Sequence, residues 1–379
     1  MPLLAAIFNL DPAGEAAALN GPLSGSSLPQ TNFVAPNTAR VSAGLIQDRL
    51  APGSGAFGVG VSTASLANGG AGLEVAGLDV LSDGDEQVAQ ASTTPGNPWA
   101  FWSRGYGNFA LGDSSTAAPG FSANTGGVIF GADYKIDGNI LLGAAFNYSH
   151  TGIAFDDQAG SSTVESYTIS PYGRYSQGDW YASAVASFGI DSFDTSRPVG
   201  FPGFSGGNAT ASPDGQVYGF AAETGYALHS DLMSNPLTVT PLAGFGYTHL
   251  HADSFTESGG SVADLAVSGS DVDSFTTSFG ARASTRIDAG ANGVLVPEAH
   301  AIWQREFLDD RAKVGASFAV APGSGFTVVS NRFGANTGLV GIGVTQEASA
   351  DVKLFVNYDA QIQSSFASHT ISAGLRVRF

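Results

Sequence analysis

From Trp99 to Phe379, apolar and polar side chains alternate along segments of about ten residues. Turns rich in Gly, Asn, Asp and Pro separate these segments. Because successive side chains of a strand point to opposite faces, the pattern predicts strands with one apolar and one polar face. In the last segment the apolar face is formed by Ile371, Ala373, Leu375, Val377 and Phe379. Its other face is formed by Thr370, Ser372, Gly374, Arg376 and Arg378.

No stretch approaches the roughly 20 apolar residues that a membrane helix needs. If the chain enters a membrane, it must therefore do so as a closed β-barrel. A soluble β-sandwich also alternates, but its polar face contacts bulk water and carries many charges. Here only 13% of the residues are charged, and the polar face is mainly Gly, Ser, Thr and Asn. We favour a membrane barrel with a confined polar interior and keep a soluble sandwich or barrel as the alternative.

The lengths of the connections predict the number of strands. Short turns are predicted at residues 137–139, 176–179, 229–236, 288–292 and 347–351. Longer polar connections are predicted at residues 111–124, 150–163, 192–214, 251–270, 308–336 and 360–367. Five short turns alternating with six long loops give an all-β fold, a twelve-stranded antiparallel transmembrane β-barrel. Residues 312–329 also alternate; we assign them to the fifth long loop, where they could form a hairpin.

Before the barrel, the sequence predicts a helix and a linker. Thr38 can cap a helix near 38–50, in which Val41, Leu45 and Ile46 recur at helical spacing. We expect this helix of about 20 Å to lie inside the pore; a helix outside the barrel is the alternative. We therefore divide the chain into a pre-barrel segment 1–50, a Gly/Ala/Ser-rich linker 51–97 and a barrel 98–379. The first residues lack the basic region of a signal peptide, so we read the chain as the end of a longer protein.

Strand parity assigns charged side chains to the lumen. A basic lumen would attract the acidic cluster at 83–86 of the linker, whereas the alternative is that the charges pair with one another and keep the barrel round. The register of the first strand, and so the direction of its arginine, is open. The predicted lumen charges are Arg104, Asp133, Lys135, Arg174, Glu223, Arg282, Arg286, Glu298, Lys353, Asp359, Arg376 and Arg378.

Composition excludes several classes of function. A net charge of −18 argues against a nucleic-acid binder, and the absence of cysteine excludes thiol catalysis and Cys-ligated metals. His249 and His251 share a strand face but have no third ligand near them in sequence, so no metal site is predicted. No nucleophile motif or phosphate-binding loop stands out. We expect neither a cofactor nor enzyme activity.

Several segments, taken in order, resemble the translocator domain of the autotransporters, the type V secretion proteins. The resemblance begins with the stretch preceding the barrel, at 15–50, and continues with PWAFWSRGYG at 98–107. It includes the Gly-Asp-aromatic strand, tight turn and return strand at 127–151, and VPEAHAIWQREF at 296–307. It ends with HTISAGLRVRF at 369–379. Each motif is weak alone, but their joint order is specific.

The resemblance implies a barrel in the outer membrane of a Gram-negative bacterium, with an N-terminal passenger carried to the cell surface. It also implies a monomer in contact with outer-membrane lipid and with the barrel-assembly machinery, which would recognise Leu375, Val377 and Phe379. Some relatives release the passenger by cyclisation of a luminal asparagine. Asn32 and Asn37, which precede the predicted helix, are weak candidates, and Asn37 could instead be a turn residue after Pro36. A standalone outer-membrane channel or adhesin barrel and a soluble β protein of binding type remain as alternative functions.

Overall fold

The computed structural model describes residues 2–12, 14–15, 18, 23–51, 98–230, 235–309, 311–349 and 351–378. The linker, apart from Ala51, and Phe379 therefore lie outside the described residues. In these ranges no helix is long and apolar enough to cross a membrane.

Before the strands, the described ranges include the α-helices α1 (Pro2–Phe8) and α2 (Leu28–Leu50). Short 3₁₀ helices cover Asp156–Gln158, Ser261–Ala263 and Gly290–Asn292. The strands are β1 Trp99–Gly112, β2 Phe121–Lys135, β3 Ile140–Phe155, β4 Ser161–Gln177, β5 Trp180–Phe201, β6 Phe204–Ala211, β7 Asp214–Tyr226, β8 Leu228–Ser230, β9 Leu237–Ala252, β10 Phe255–Thr256, β11 Leu265–Val267, β12 Ser270–Thr285, β13 Ile287–Asp288, β14 Val294–Glu306, β15 Lys313–Phe318, β16 Ala321–Val329, β17 Asn336–Glu347, β18 Val352–Ile362 and β19 Phe366–Arg378.

Twelve antiparallel strands form one closed sheet, which confirms the predicted barrel. Around the wall the order is β1, β2, β3, β4, β5, β7, β9, β12, β14, β17, β18 and β19. The first and last strands close the ring, with Ala100 opposite Arg378. The apolar face points outward, as the roughly half-exposed Ile371 and Phe130 illustrate. Closure leaves no open edge in the wall, so every spanning strand satisfies its backbone groups in a neighbour.

The structure fixes the register of β1, which the sequence left open. Trp102 and Arg104 are buried at 3% and 1% exposure, whereas Phe101 is 51% exposed. Phe101 therefore lies on the outer surface and its neighbour Trp102 in the lumen. Parity alone could not decide this, because aromatic side chains occupy both faces of the strand.

The two ends of the barrel differ. At one end, the short-turn mouth, consecutive strands are joined by tight connections such as 136–139 and 178–179. At the other end, the long-loop mouth, some connections are shorter than predicted: only 156–160 between β3 and β4, and 363–365 between β18 and β19. These strands continue beyond the apolar band on the outer face of the barrel, because the hydrogen bonds between strands do not require apolar side chains. Residues 313–329 form the β15–β16 hairpin, which belongs to a four-stranded sheet with β10 and β11 beyond this mouth.

Helix α2 lies inside the barrel, but its predicted start was wrong. It begins at Leu28, ten residues before Thr38, and spans about 35 Å. Thr38 is not a cap: its hydroxyl donates to the carbonyl of Val34, as in a helix interior. Pro36 and Asn37 suggested a break, yet both are helical. Pro29 at the first turn provides the actual start, because its missing N–H would have no partner there.

Candidate functional site: the lumen and its helix

Near the long-loop mouth, the lumen holds α2 through an aromatic cluster. Phe33 stacks on Phe333 with ring centroids 3.9 Å apart and meets Phe366 edge-on. Val34 and Ala35 are buried in the same cluster, which also contains Phe121. The first turn is tied down by Gln30, whose side-chain amide donates to the carbonyl of Pro119 over 2.7 Å. This end of the helix is therefore fixed to the loops of the wall.

Toward the short-turn mouth, the apolar side of α2 packs against the inner surface of the barrel wall. Leu45, Ile46 and Leu50 are almost completely buried. Their partners are lumen-facing wall side chains, among them Trp102, Tyr106, Ile129, Leu141, Tyr172 and Val185. Most of the stability of a helix in a protein comes from packing of its apolar face, so these contacts stabilise α2.

Arg49, in the last turn of α2, is buried at 1% exposure and forms an ion pair with Asp133 of β2. Its guanidinium lies 4.0 Å from the ring centroid of Trp102 and donates to the hydroxyl of Tyr172 over 3.1 Å. That hydroxyl donates to Asp133 over 2.6 Å, while Arg376 Nε approaches Asp133 to 3.6 Å. We call these five side chains the Arg49 cluster. A cation in the last turn also complements the negative end of the helix dipole.

A second group of charges joins the other side of α2 to the wall. Asp48 pairs with Arg282 at 2.8 Å, and Arg282 also reaches Glu223 at 3.1 Å. The hydroxyl of Tyr181 donates to Glu223. Arg104 donates to the carbonyl of Leu45 over 2.7 Å. Wall charges therefore pair both with each other and with the helix.

A cavity of about 230 Å³ remains beside α2, between Gly44 of the helix and the wall around β7, β12, β14 and β18. Its charged lining residues include Arg40, Asp48, Glu223, Arg282, His300 and Asp359. His300 Nε2 lies 3.5 Å from Asp359. The volume and the charged groups in the lining suit several water molecules. The helix therefore occupies the lumen asymmetrically, packed on one wall and separated from the other by this cavity.

The remaining predicted lumen charges do not contact α2 in the same way. Glu298 is half-buried on the same face of β14 as His300. Lys135 and Arg174 line a small cavity beside Leu50, and neither forms an ion pair with any described residue. At the short-turn mouth, Arg286 and Lys353 both pair with Glu347, and Arg378 pairs with Asp351 at 3.0 Å.

Both candidate cleavage residues lie inside α2, not before it as the sequence suggested. The side-chain amide of Asn32 donates to Ser270 over 2.8 Å. Asn37 is 4% exposed and continues the helix, so it is not a turn residue.

In the last strand, Leu375 is 42% exposed on the outer face, opposite Ser103, and Val377 is opposite Phe101. Across the described part of the chain, no group of three or more His, Asp or Glu residues could hold a metal ion.

Sequence reasoning missed polar and aromatic lumen groups because it searched for charges. Tyr172, Trp102 and Tyr181 complete the charge clusters, and Ser183 accepts from the Gln47 amide. The parity of β4 contained a signal: Tyr172 alternates with the outward Pro171 and falls on the polar face.

Comparison with known proteins agrees with this geometry. Residues 101–359 match the Autotransporter beta-domain family. Outer membrane protein A of Rickettsia conorii is 27% identical over 69% of this chain, which covers 13% of that protein. An extracellular serine protease of Serratia marcescens is 23% identical over 73% of the chain, which covers 26% of the protease. The chain thus spans a minor part of the curated relatives that it matches.

Among solved structures, the translocator domain of autotransporter NalP from Neisseria meningitidis superposes with a TM-score of 0.68 at 13% identity. That match covers 94% of this chain and all of the other. The beta domain of the Bordetella autotransporter Brka superposes with a TM-score of 0.56 at 17% identity, over 74% of this chain and all of the other. The chain is therefore an outer-membrane translocator barrel and belongs to the autotransporter β-domain family.

Proposed function

We propose that this barrel carries a polypeptide N-terminal to it across the bacterial outer membrane, and that α2 is the part of that polypeptide left in the pore. The supporting observation is the direction of α2. Its first turn contacts Pro119 at the long-loop mouth, and its last residue Leu50 lies beside Lys135 at the short-turn mouth. Outer-membrane barrels place short turns in the periplasm. The chain before Leu28 is thus on the cell-surface side.

The start of the barrel supports the same path. Pro98 accepts a hydrogen bond from the backbone N–H of Lys135, so β1 begins at the periplasmic mouth. The chain enters α2 from outside, leaves it at the periplasmic end and returns to the wall at that end. A polypeptide exported as a loop through the lumen would finish in this arrangement.

In the test, an epitope tag that is recognised whether or not it is folded is fused before residue 1, and the full chain is expressed in a Gram-negative host. We expect an external protease to remove the tag from intact cells while the barrel stays membrane-inserted. A tag that remains periplasmic beside an inserted barrel would contradict export and favour the standalone channel or adhesin barrel.

We propose that the domain performs no peptide cleavage at Asn32 or Asn37. Cyclisation needs the side-chain amide nitrogen to attack the carbonyl carbon of its own residue. The Asn32 amide is instead bonded to Ser270, and Asn37 is enclosed in a continuous helix. Intact mass measurement of the inserted protein tests this: a fragment beginning after either asparagine would overturn it.

We further propose that the barrel is monomeric in outer-membrane lipid and that the final strand is read by the barrel-assembly machinery. Leu375 and Val377 belong to the apolar outer face of β19, and Phe379 would extend that face. Deleting Phe379 should lower the heat-modifiable, inserted fraction in cells, whereas removal of the exposed Val320 side chain should not. Equal inserted fractions would contradict the role of Phe379.

A further inference from the structure

Apolar side chains that precede α2 are buried outside the barrel, on the long-loop mouth. Ile7 of α1 and Leu23 are 8% and 1% exposed. They pack in one cluster with Val199, Ala209 and Ala263. These three residues come from β5, β6 and the 3₁₀ helix Ser261–Ala263, which extend beyond the apolar band of the wall. Loops facing water rarely provide such an apolar site.

The turn that connects this cluster to α2 is fitted against the four-stranded sheet. Gly25 has a φ of +66°, and a Cβ there would lie 2.7 Å from Cδ1 of Leu265. Leu28 is 5% exposed and packs with Leu265 and Val314. The left-handed backbone conformation favours glycine, and a Cβ at this position would also displace the end of the Leu265 side chain. The turn before α2, where the chain leaves the lumen, therefore fits closely against this one surface.

Buried polar contacts stabilise that surface. Arg197 and Glu257 form a buried ion pair, with side chains 3% and 1% exposed. Glu257 also accepts from the backbone N–H of Leu265 over 2.9 Å, and Arg197 donates to the carbonyl of Ala263 over 3.0 Å. We call residues 199–211, Ser261–Ala263 and β10, β11, β15 and β16 the outer platform. Its parts come from three separate loops: these polar contacts join the first two, and the pairing of β11 with β15 joins the third.

We propose that the outer platform is a docking surface for the exported chain, which binds Ile7, Leu23 and Leu28 after they leave the pore and holds the chain at the cell surface. This inference rests on the proposed function. The platform lies on one side of the membrane only, so the apolar segment gains this partner only after passage. Binding that is available on one side shifts the distribution of the chain toward that side. The platform therefore opposes return of the chain into the lumen.

The absence of cysteine allows single-thiol probes in the purified full-length barrel. Ser26→Cys replaces a 4% exposed side chain, and Thr116→Cys gives an exposed reference on the same mouth. We expect a polar maleimide to modify position 26 much more slowly than position 116. Leu265→Ala should speed modification at position 26 by about tenfold or more, because it removes the contact to Leu28 and Gly25. Val320→Ala, at a 66% exposed site in the turn between β15 and β16, should leave the rate unchanged.

Export is then followed with the tagged full chain. Leu265→Ala should slow arrival of the tag at the surface relative to Val320→Ala, with equal heat-modifiable barrel in both. Similar modification rates at positions 26 and 116 would overturn docking, and unchanged export in Leu265→Ala would overturn its role in holding the chain. A tag that fails to reach the surface in the parent chain would contradict the proposed function, while the maleimide rates would still report docking separately.

Discussion

Arg49 joins the luminal helix to the barrel wall through an ion pair, a hydrogen bond and a ring contact. Such a buried pair contributes little compared with an apolar replacement of both partners. Removal of one partner is costly, because the other charge stays buried. The orientation of three wall side chains around one guanidinium therefore determines where the last turn of α2 lies.

We predict that Arg49→Met lowers the free energy of unfolding by about 3 kcal/mol, because Asp133 loses its main partner. Urea unfolding in detergent measures this. Asp133→Asn and the double variant complete a cycle whose coupling should exceed about 1 kcal/mol. Arg305→Met is the control: Arg305 is exposed on β14 and donates a hydrogen bond to Asn336, away from α2. A zero coupling energy would show that the Arg49 cluster does not act as a unit.

A second residue-level prediction compares neighbours in β19. Leu375 is exposed to lipid, whereas Arg376 is 7% exposed beside Asp133. Leu375→Arg puts a charge on the lipid face toward the periplasmic end, where the cost is lower than the roughly 2–4 kcal/mol of the bilayer midplane. Arg376→Leu should cost less, since Asp133 keeps Arg49 and Tyr172. Urea midpoints of the two variants decide the order, and a larger loss for Arg376→Leu would reverse this assignment.

At the scale of elements, α2 contains a conflict between local preference and packing. Pro36 cannot donate to the carbonyl of Asn32, and proline disfavours a helix interior by about 3 kcal/mol. The helix persists because the aromatic cluster around Phe33 and Val34 holds its first half. Tertiary contacts thus stabilise the half whose own sequence is unfavourable.

We predict that Pro36→Ala stabilises α2 by a net of about 1 kcal/mol, because restored helix propensity exceeds the loss of packing by the buried ring. Hydrogen exchange of the amides from 33 to 40 measures the effect. Pro322→Ala, at an exposed position of β16, should leave that exchange unchanged. Unchanged or faster exchange of these amides in Pro36→Ala would contradict this prediction.

The same conflict explains what the sequence could predict. The strands could be predicted because the alternation of apolar side chains and the positions of the turn residues indicate the same segments, as in β19. The helix was readable from Val41 to Leu50, where spacing and propensity agree, but not from Leu28 to Asn37, where proline opposes the contacts made with Phe333 and Phe366. Strand parity predicted which charges face the lumen. It could not predict their partners on α2, because those depend on how the helix is rotated about its own axis in the pore.

At the scale of the whole molecule, the helix and the barrel depend on each other. The helix packs against β2, β4 and β5, and a cavity with charged groups in its lining remains between the helix and the wall from β7 to β18. An α-helix with side chains is about 10–12 Å wide, so it excludes most of the lumen cross-section. Passage of ions through the barrel should therefore depend on whether α2 is present.

We predict that deletion of residues 1–97 produces a larger and steadier current in planar lipid bilayers than the full chain shows. In the full chain ions can use only the space beside α2, near Arg40 and Asp48, where the side chains of the helix narrow the path. Deletion of residues 2–22 is the matched control, because it removes α1 and leaves α2 with its aromatic cluster and Arg49 contacts. That variant should conduct like the full chain. If all three proteins conduct alike, α2 does not occupy the pore in the membrane, and the proposed export path loses the geometry that supports it.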